Sequence, residues 1–396
     1  MNAPIIPTDA LPVWPANLNE IPKEIWERED VYQLELERIY YGPFWHVVAH
    51  TAEIPNPGDY KTFFLGERPI IVARGDDGQV RVFYNACTHR ATLLETSAMG
   101  NKSEFECPYH RWLFNNRGEL VGCPAEEDYT VDFQKGDFNL LQIRTAEYAG
   151  VIFATASDET PDLDTFLGES KPYIDKILGK DGDLELLGYQ KVLYNSNWKA
   201  YFDNDGFHAP LLHKAFRMLN WQGGKGRQFA TGPGHIVFVS QLTVPSNPEF
   251  LKDPSIVSFK GTDPNEGSVL VALMPITGII KHLDMINIRF AFPAGLYGTE
   301  VHYASFARKD DDPEMARHRM RQGANLIGPS GLVSMEDAAI FSRIQQGSRT
   351  PGYAIFQKGV KDKRNVWHDY KQNDETGNLP KWEVYREVMG FQRSAG

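Results

Sequence analysis

Four residues in two short stretches carry the first recognisable chemistry of this 396-residue chain: Cys87 and His89 in NACTHRATLL, and Cys107 and His110 in FECPYHRWLF. They read C-x-H and C-x-x-H, with 17 residues between the pairs. A thiolate and an imidazole from each of two loops can close on a metal centre from both sides, and this donor set suits zinc or an iron–sulfur cluster. Structural zinc sites typically pair Cys with Cys and His with His. One Cys and one His per loop suits a dinuclear cluster, with two thiolates on one iron and two imidazoles on the other. Zinc remains the competing reading. Cys123, the one other cysteine, has no His or Cys near it in sequence and reads as a packed residue. Three cysteines in a long chain make no disulfide framework.

A second group lies in NWKAYFDNDGFHAPLLH, where Asp205, His208 and His213 fall within nine residues. Two histidines and a carboxylate, leaving coordination positions open, form the facial triad of O₂-activating Fe(II) enzymes. On a straight helix, residues five apart diverge by about 140°. Pro210 lies between the two histidines and removes a helix hydrogen bond, so a break there lets both rings converge. An amphipathic helix with incidental histidines is the competing reading, and it leaves the Asp and the spacing unexplained.

Taken together these residues resemble the catalytic (α) subunits of the Rieske non-haem iron aromatic-ring-hydroxylating oxygenases. The likeness runs from GPFWHVVAH through the Cys/His loops and the NWK–His213 segment to SMEDAAIFSRIQQG. It implies a Rieske [2Fe–2S] cluster on Cys87, His89, Cys107 and His110. It implies a mononuclear Fe(II) on His208, His213 and a distant carboxylate, for which Asp337 is the first choice and Glu336 the second. Ser334-Met335-Glu336-Asp337 also fits a helix capping box, the competing reading of Asp337. By the same resemblance Asp205 bridges His208 to the partner subunit's His110, and Asn204 lies near the iron. A carboxylate hydrogen-bonded to a ligating histidine in this way fixes the ring's tautomer and orientation. Two positions depart from the family pattern: glycine is usual where Ala91 and Arg111 stand.

The implied activity is that of a terminal oxygenase that hydroxylates a small aromatic substrate with O₂, by cis-dihydroxylation or monohydroxylation of the ring. NADH-derived electrons then arrive through a separate reductase, a ferredoxin, or both, in keeping with the absence of a GxGxxG fingerprint here. The implied assembly is a homotrimer, with a β subunit as α₃β₃. The alternatives are a Rieske monooxygenase or demethylase acting on a non-aromatic substrate such as a quaternary amine, and a non-catalytic Rieske electron carrier. Arg217, shortly after His213, is placed by position alone to attract a substrate carboxylate, with a plain surface arginine as the competing reading.

The elements that must hold these groups are legible in outline. Residues 22–42 show helical apolar spacing. From 43 to 157 the chain turns to short β-rich segments divided by turns such as Gly75-Asp76-Asp77-Gly78 and Asn115-Asn116-Arg117-Gly118. This predicts a small all-β domain over 43–157, with 1–42 and 158–396 forming the catalytic domain. In the latter a helix near 162–178 precedes runs of strands and separate helices, an α+β pattern built on an antiparallel sheet. The charge of −11 and pI near 5.5 argue against a nucleic-acid surface. No stretch approaches the roughly 18 apolar residues of a membrane span, and the N-terminus lacks a secretory pattern, so cytoplasmic residence is the expectation.

Overall fold

The computed structural model describes residues 11–204, 214–219, 226–241, 247–263 and 267–394. The chain enters through β1 (Glu20–Pro22) and α1 (Glu29–Glu35), which runs on into a π turn at Leu36–Tyr40. Val31, Leu34, Leu36 and Ile39 are buried along this stretch, the stripe that the apolar spacing predicts. The chain then divides into two units, Tyr41–Thr160 and Met1–Tyr40 with Pro161–Gly396.

The smaller unit is built of β2 (His46–His50), β3 (Asp59–Leu65), β4 (Arg68–Arg74), β5 (Val80–Tyr84), β6 (Met99–Asn101), β7 (Glu104–Glu106), β8 (Leu113–Asn115), β9 (Leu120–Gly122), β10 (Gln142–Tyr148) and β11 (Val151–Thr155). Seven strands form an antiparallel sheet in the order β2-β11-β10-β5-β4-β3-β6, and β7-β8-β9 form a second sheet. The two expected hairpin turns join β4 to β5 and β8 to β9. Gly78 (φ 77°) and Gly118 (φ 84°) occupy their left-handed positions. The strand pairs β4–β5 and β7–β8 place the Cys/His loops: one follows β5, the other links β7 to β8.

The larger unit continues with α2 (Leu163–Leu167), α3 (Lys171–Leu178), β12 (Leu184–Tyr194), α4 (Trp198–Asn204), α5 (Lys214–Met218), β13 (Gly226–Thr231), β14 (His235–Ser240), β15 (Ser268–Leu273), β16 (Thr277–His282), β17 (Met285–Pro293), β18 (Thr299–Arg308), α6 (Pro313–Gln322), α7 (Ser334–Gly347), β19 (Tyr353–Ile355), β20 (Asp369–Lys371) and α8 (Leu379–Met389). Eight strands form one antiparallel sheet, β12-β18-β17-β16-β15-β14-β13-β20, and β1 pairs with β19. Phe238, Leu270 and Ile280 from adjacent strands pack with Phe216, Leu326 and Val333 from the helical segments into an apolar core. This is the expected α+β architecture. No helix among the described residues is long and apolar enough to cross a membrane.

Helix α4, which leads into the His208 segment, is anchored by a buried charge network. Glu35 of α1 accepts Lys199 Nζ at 2.7 and 2.9 Å, Trp198 Nε1 at 2.6 Å and Tyr385 Oη of α8 at 2.5 Å. Glu35 and Lys199 are wholly buried, so each charge depends on the other and on the added hydrogen bonds. Burial pulls the Lys199 ammonium below its usual value, against the attraction of Glu35.

Candidate metal centres

The two Cys/His loops share one backbone design. Cys87 N donates to Thr92 O at 2.9 Å, and Ala91 N returns a bond to Cys87 O at 2.8 Å. Cys107 N donates to Trp112 O at 2.7 Å, and Arg111 N to Cys107 O at 3.0 Å. Each loop therefore turns back on its cysteine within five residues, with its histidine inside the turn. The turn puts Ala91 (φ 55°) and Arg111 (φ 60°) in the left-handed region. This is the physical reason that glycine, which adopts that conformation without strain, suits both positions. Asn85 ties the ends of the first loop: its amide donates to Glu95 O and accepts from Leu94 N and Glu95 N.

The four candidate donors sort by type. Cys87 and Cys107 are buried in the apolar cluster with Phe105, Phe114 and Leu120. Their thiols lie against each other. Burial raises the Cys87 thiol, while the backbone N–H groups of His89 and Arg90 favour its thiolate. His89 is exposed and His110 half-buried, with ring centroids 4.6 Å apart. Partial burial, together with the facing His110, lowers the His89 pKa and favours the neutral ring that a metal needs. Trp112 stacks on His89 at 4.8 Å and 11°, and its Nε1–H donates to Tyr129 Oη at 2.8 Å. Among the described residues no three His, Cys, Asp or Glu side chains gather as ligands of a single ion. A thiol pair below and an imidazole pair above fit a two-iron cluster better than one tetrahedral zinc. Cys123 is half-buried and stands apart, packed beside the same apolar cluster.

Asp205, His208 and His213 lie outside the described residues, but their flanks and the expected carboxylates do not. Asn204 ends α4, and Asn204, Glu336 and Asp337 line one cavity of about 500 Å³ with Ala200, Phe341 and Phe356. Ser334 does not cap α7: its hydroxyl donates to Ile327 O at 2.7 Å, and the helix already includes Ser334. The capping reading of Asp337 therefore loses its partner. Glu336 accepts Lys214 N at 2.8 Å, at the start of α5. Asp203 accepts the Trp382 indole at 2.7 Å. Arg217 is exposed near the end of α5 and does not line this cavity.

Several other histidines serve packing. His235 accepts Met274 N on Nδ1 at 3.0 Å, so its Nε2–H donates to Phe166 O at 2.9 Å. His302 meets Glu300, and His318 meets Asp284. Sequence reasoning missed Glu35, Lys199, Trp382 and Tyr385. The one available signal was Glu35 at helical spacing from Val31 on an otherwise apolar face.

Comparison with known proteins bears on both units. Residues 44–143 match the Rieske [2Fe–2S] domain, and residues 163–372 match the catalytic domain of the ring-hydroxylating α subunit. The anthranilate 1,2-dioxygenase large subunit of Burkholderia cepacia is 33% identical over 358 residues, covering 83% of this chain and 84% of that one. The benzene 1,2-dioxygenase α subunit of Pseudomonas putida is 38% identical over 368 residues, covering 82% and 79%. The crystal structure of naphthalene 1,2-dioxygenase from Rhodococcus sp. superposes with a TM-score of 0.81 at 26% identity, over 93% of this chain and 94% of that one.

Proposed function

The chain belongs to the ring-hydroxylating oxygenase α subunits, and from that premise we propose that it is the terminal oxygenase of a multicomponent system that hydroxylates a small aromatic ring. O₂ and NADH-derived electrons, delivered by a reductase with or without a ferredoxin, are its co-substrates. A [2Fe–2S] cluster in the Rieske domain and a mononuclear Fe(II) in the catalytic domain supply one-electron transfer and O₂ activation when bound. In this reading the Rieske domain spans 43–157, and 1–42 with 158–396 form the catalytic domain.

Cys87 and Cys107, which are buried, would hold one cluster iron, and His89 and His110, which are exposed and half-buried, would hold the other. Trp112, stacked on His89, fixes the plane of that ring. His208, His213 and Asp337 would hold the mononuclear iron. By the family resemblance Asp205 would link His208 to the partner subunit's His110, with Asn204 near the iron. The observation that carries the reading is the pair of matched loops with inward thiols and outward imidazoles, in a chain whose remainder matches the catalytic domain. Exposed Arg90 and Tyr109 border the imidazoles, while carboxylates of Asp203, Glu336, Asp337 and Glu375 line the cavity beside Asn204. By the family resemblance the assembly is a trimer of copies, cluster to iron, with a β subunit completing α₃β₃. We place the protein in the cytoplasm.

The reading is tested by supplying the purified protein with a ferredoxin, its reductase, NADH and ¹⁸O₂, and a panel of aromatic and quaternary-amine substrates. The expected product is a ring-hydroxylated aromatic, cis-diol or phenol, carrying ¹⁸O. Turnover confined to dealkylation of quaternary amines would replace this reading with the monooxygenase alternative.

A further inference from the structure

The segment 205–213 leaves α4 and enters α5, and side chains from the last quarter of the chain grip both flanks. At the α4 end, Trp382 Nε1–H donates to Asp203 Oδ1 at 2.7 Å. Lys381 Nζ donates to Phe202 O at 3.0 Å and sits 4.4 Å over the Phe202 ring. The Asn378 side-chain amide donates to Asp203 O. The last carbonyls of a helix lack helical partners, and a cation there also complements the helix dipole. Lys381 and Trp382 are almost fully buried, so these bonds stand in place of solvent. At the α5 end, Glu336 Oε2 takes the Lys214 N–H at 2.8 Å. Its neighbour Asp337 lines the cavity that Asn204 also lines.

We propose that Trp382, Lys381 and Glu336 are positioning residues for the mononuclear iron site: they fix where the ligand segment begins and ends relative to Asp337. The inference rests on the assignment of His208, His213 and Asp337 as ligands, and it gives Glu336, the alternative ligand, a different task. Consecutive carboxylates on α7 then divide the work. Glu336 holds the Lys214 N–H, and Asp337, on the cavity, would bind the metal. Because both grips come from α7 and α8, the C-terminal helices determine the spacing of a site whose histidines lie more than a hundred residues earlier.

The experiment removes the mononuclear metal anaerobically with the cluster kept intact, titrates Fe(II) back, and reads bound iron together with the S = 3/2 EPR signal of its nitric oxide adduct. Trp382→Phe removes the N–H together with the five-membered ring and leaves a buried gap, so its thermal midpoint is expected to fall. Trp382→Phe and Glu336→Ala are expected to weaken Fe(II) binding about tenfold and to alter the EPR rhombicity, with cluster absorption near wild type in both and the thermal midpoint near wild type in Glu336→Ala. Glu336→Gln is expected to restore wild-type binding, since its amide oxygen still accepts the Lys214 N–H. Wild-type affinity and line shape in both Trp382→Phe and Glu336→Ala would overturn the inference alone. Loss of iron in Glu336→Gln as complete as in Asp337→Asn would overturn it by making Glu336 a ligand. Full iron binding by His208→Ala would bring down the ligand assignment, and the inference with it.

Discussion

Ala91 and Arg111 carry a backbone cost that glycine would avoid. Both sit at φ near 60° because each loop must reverse within five residues. A left-handed non-glycine residue costs roughly 1–2 kcal/mol, while glycine loses about 0.4–1 kcal/mol through its freer unfolded chain. Ala91→Gly is therefore expected to stabilise the Rieske domain by about 0.5 kcal/mol, read as a higher urea midpoint of the cluster absorption. A lower midpoint would show that the loop relaxes around Ala91. At this scale the sequence was most legible. Metal chemistry restricts the residue types, and a short loop restricts their spacing, so Cys87, His89, Cys107 and His110 stood out without a fold. The reason for glycine at positions 91 and 111 was not legible, because it is a dihedral angle and not a side chain.

Among the elements, β14 shows how buried polar groups bolt the catalytic domain together. His235 links the end of α2, through Phe166 O, to the end of β15, through Met274 N. Burial pushes its pKa down to about 3. The folded protein thus keeps this ring neutral where the unfolded chain, with an ordinary value near 6.5, takes up a proton. The unfolded state binds more protons below that value, so the stability His235 contributes is complete above pH 6.5 and drains as pH falls toward 3. The expected loss is roughly 1 kcal/mol per pH unit. Chemical denaturation at pH 7, 6 and 5 should show this fall, and His235→Gln, with no titrating group, should show a shallower slope. An equal slope in the variant would exclude His235 as its source. Strand β16 escaped the sequence reading because all six of its residues are buried, so Thr277–His282 shows no alternation of period two. Its neighbours β15 and β17 are easier to read, as the apolar-rich runs Ser268–Leu273 and Met285–Pro293.

For the molecule as a whole, the buried polar pairings around α4 span the chain. Glu35 meets Lys199 and Tyr385 across 164 and 350 residues, and Trp382 meets Asp203 across 179. No local pattern announces such partners, and a glutamate on a helix ordinarily faces water. The candidate ligands were therefore readable as local motifs, and the buried pairings around α4 were not. Iron in two distinct settings within one polypeptide is tested most directly by anaerobic purification with iron, zinc and acid-labile sulfide analysis, coupled to EPR after dithionite reduction. The expected result is two cluster irons, two sulfides and one further iron per chain, with the EPR signal of a cluster bearing two histidines on one iron. One zinc bound by Cys87, His89, Cys107 and His110, with no labile sulfide, would contradict it.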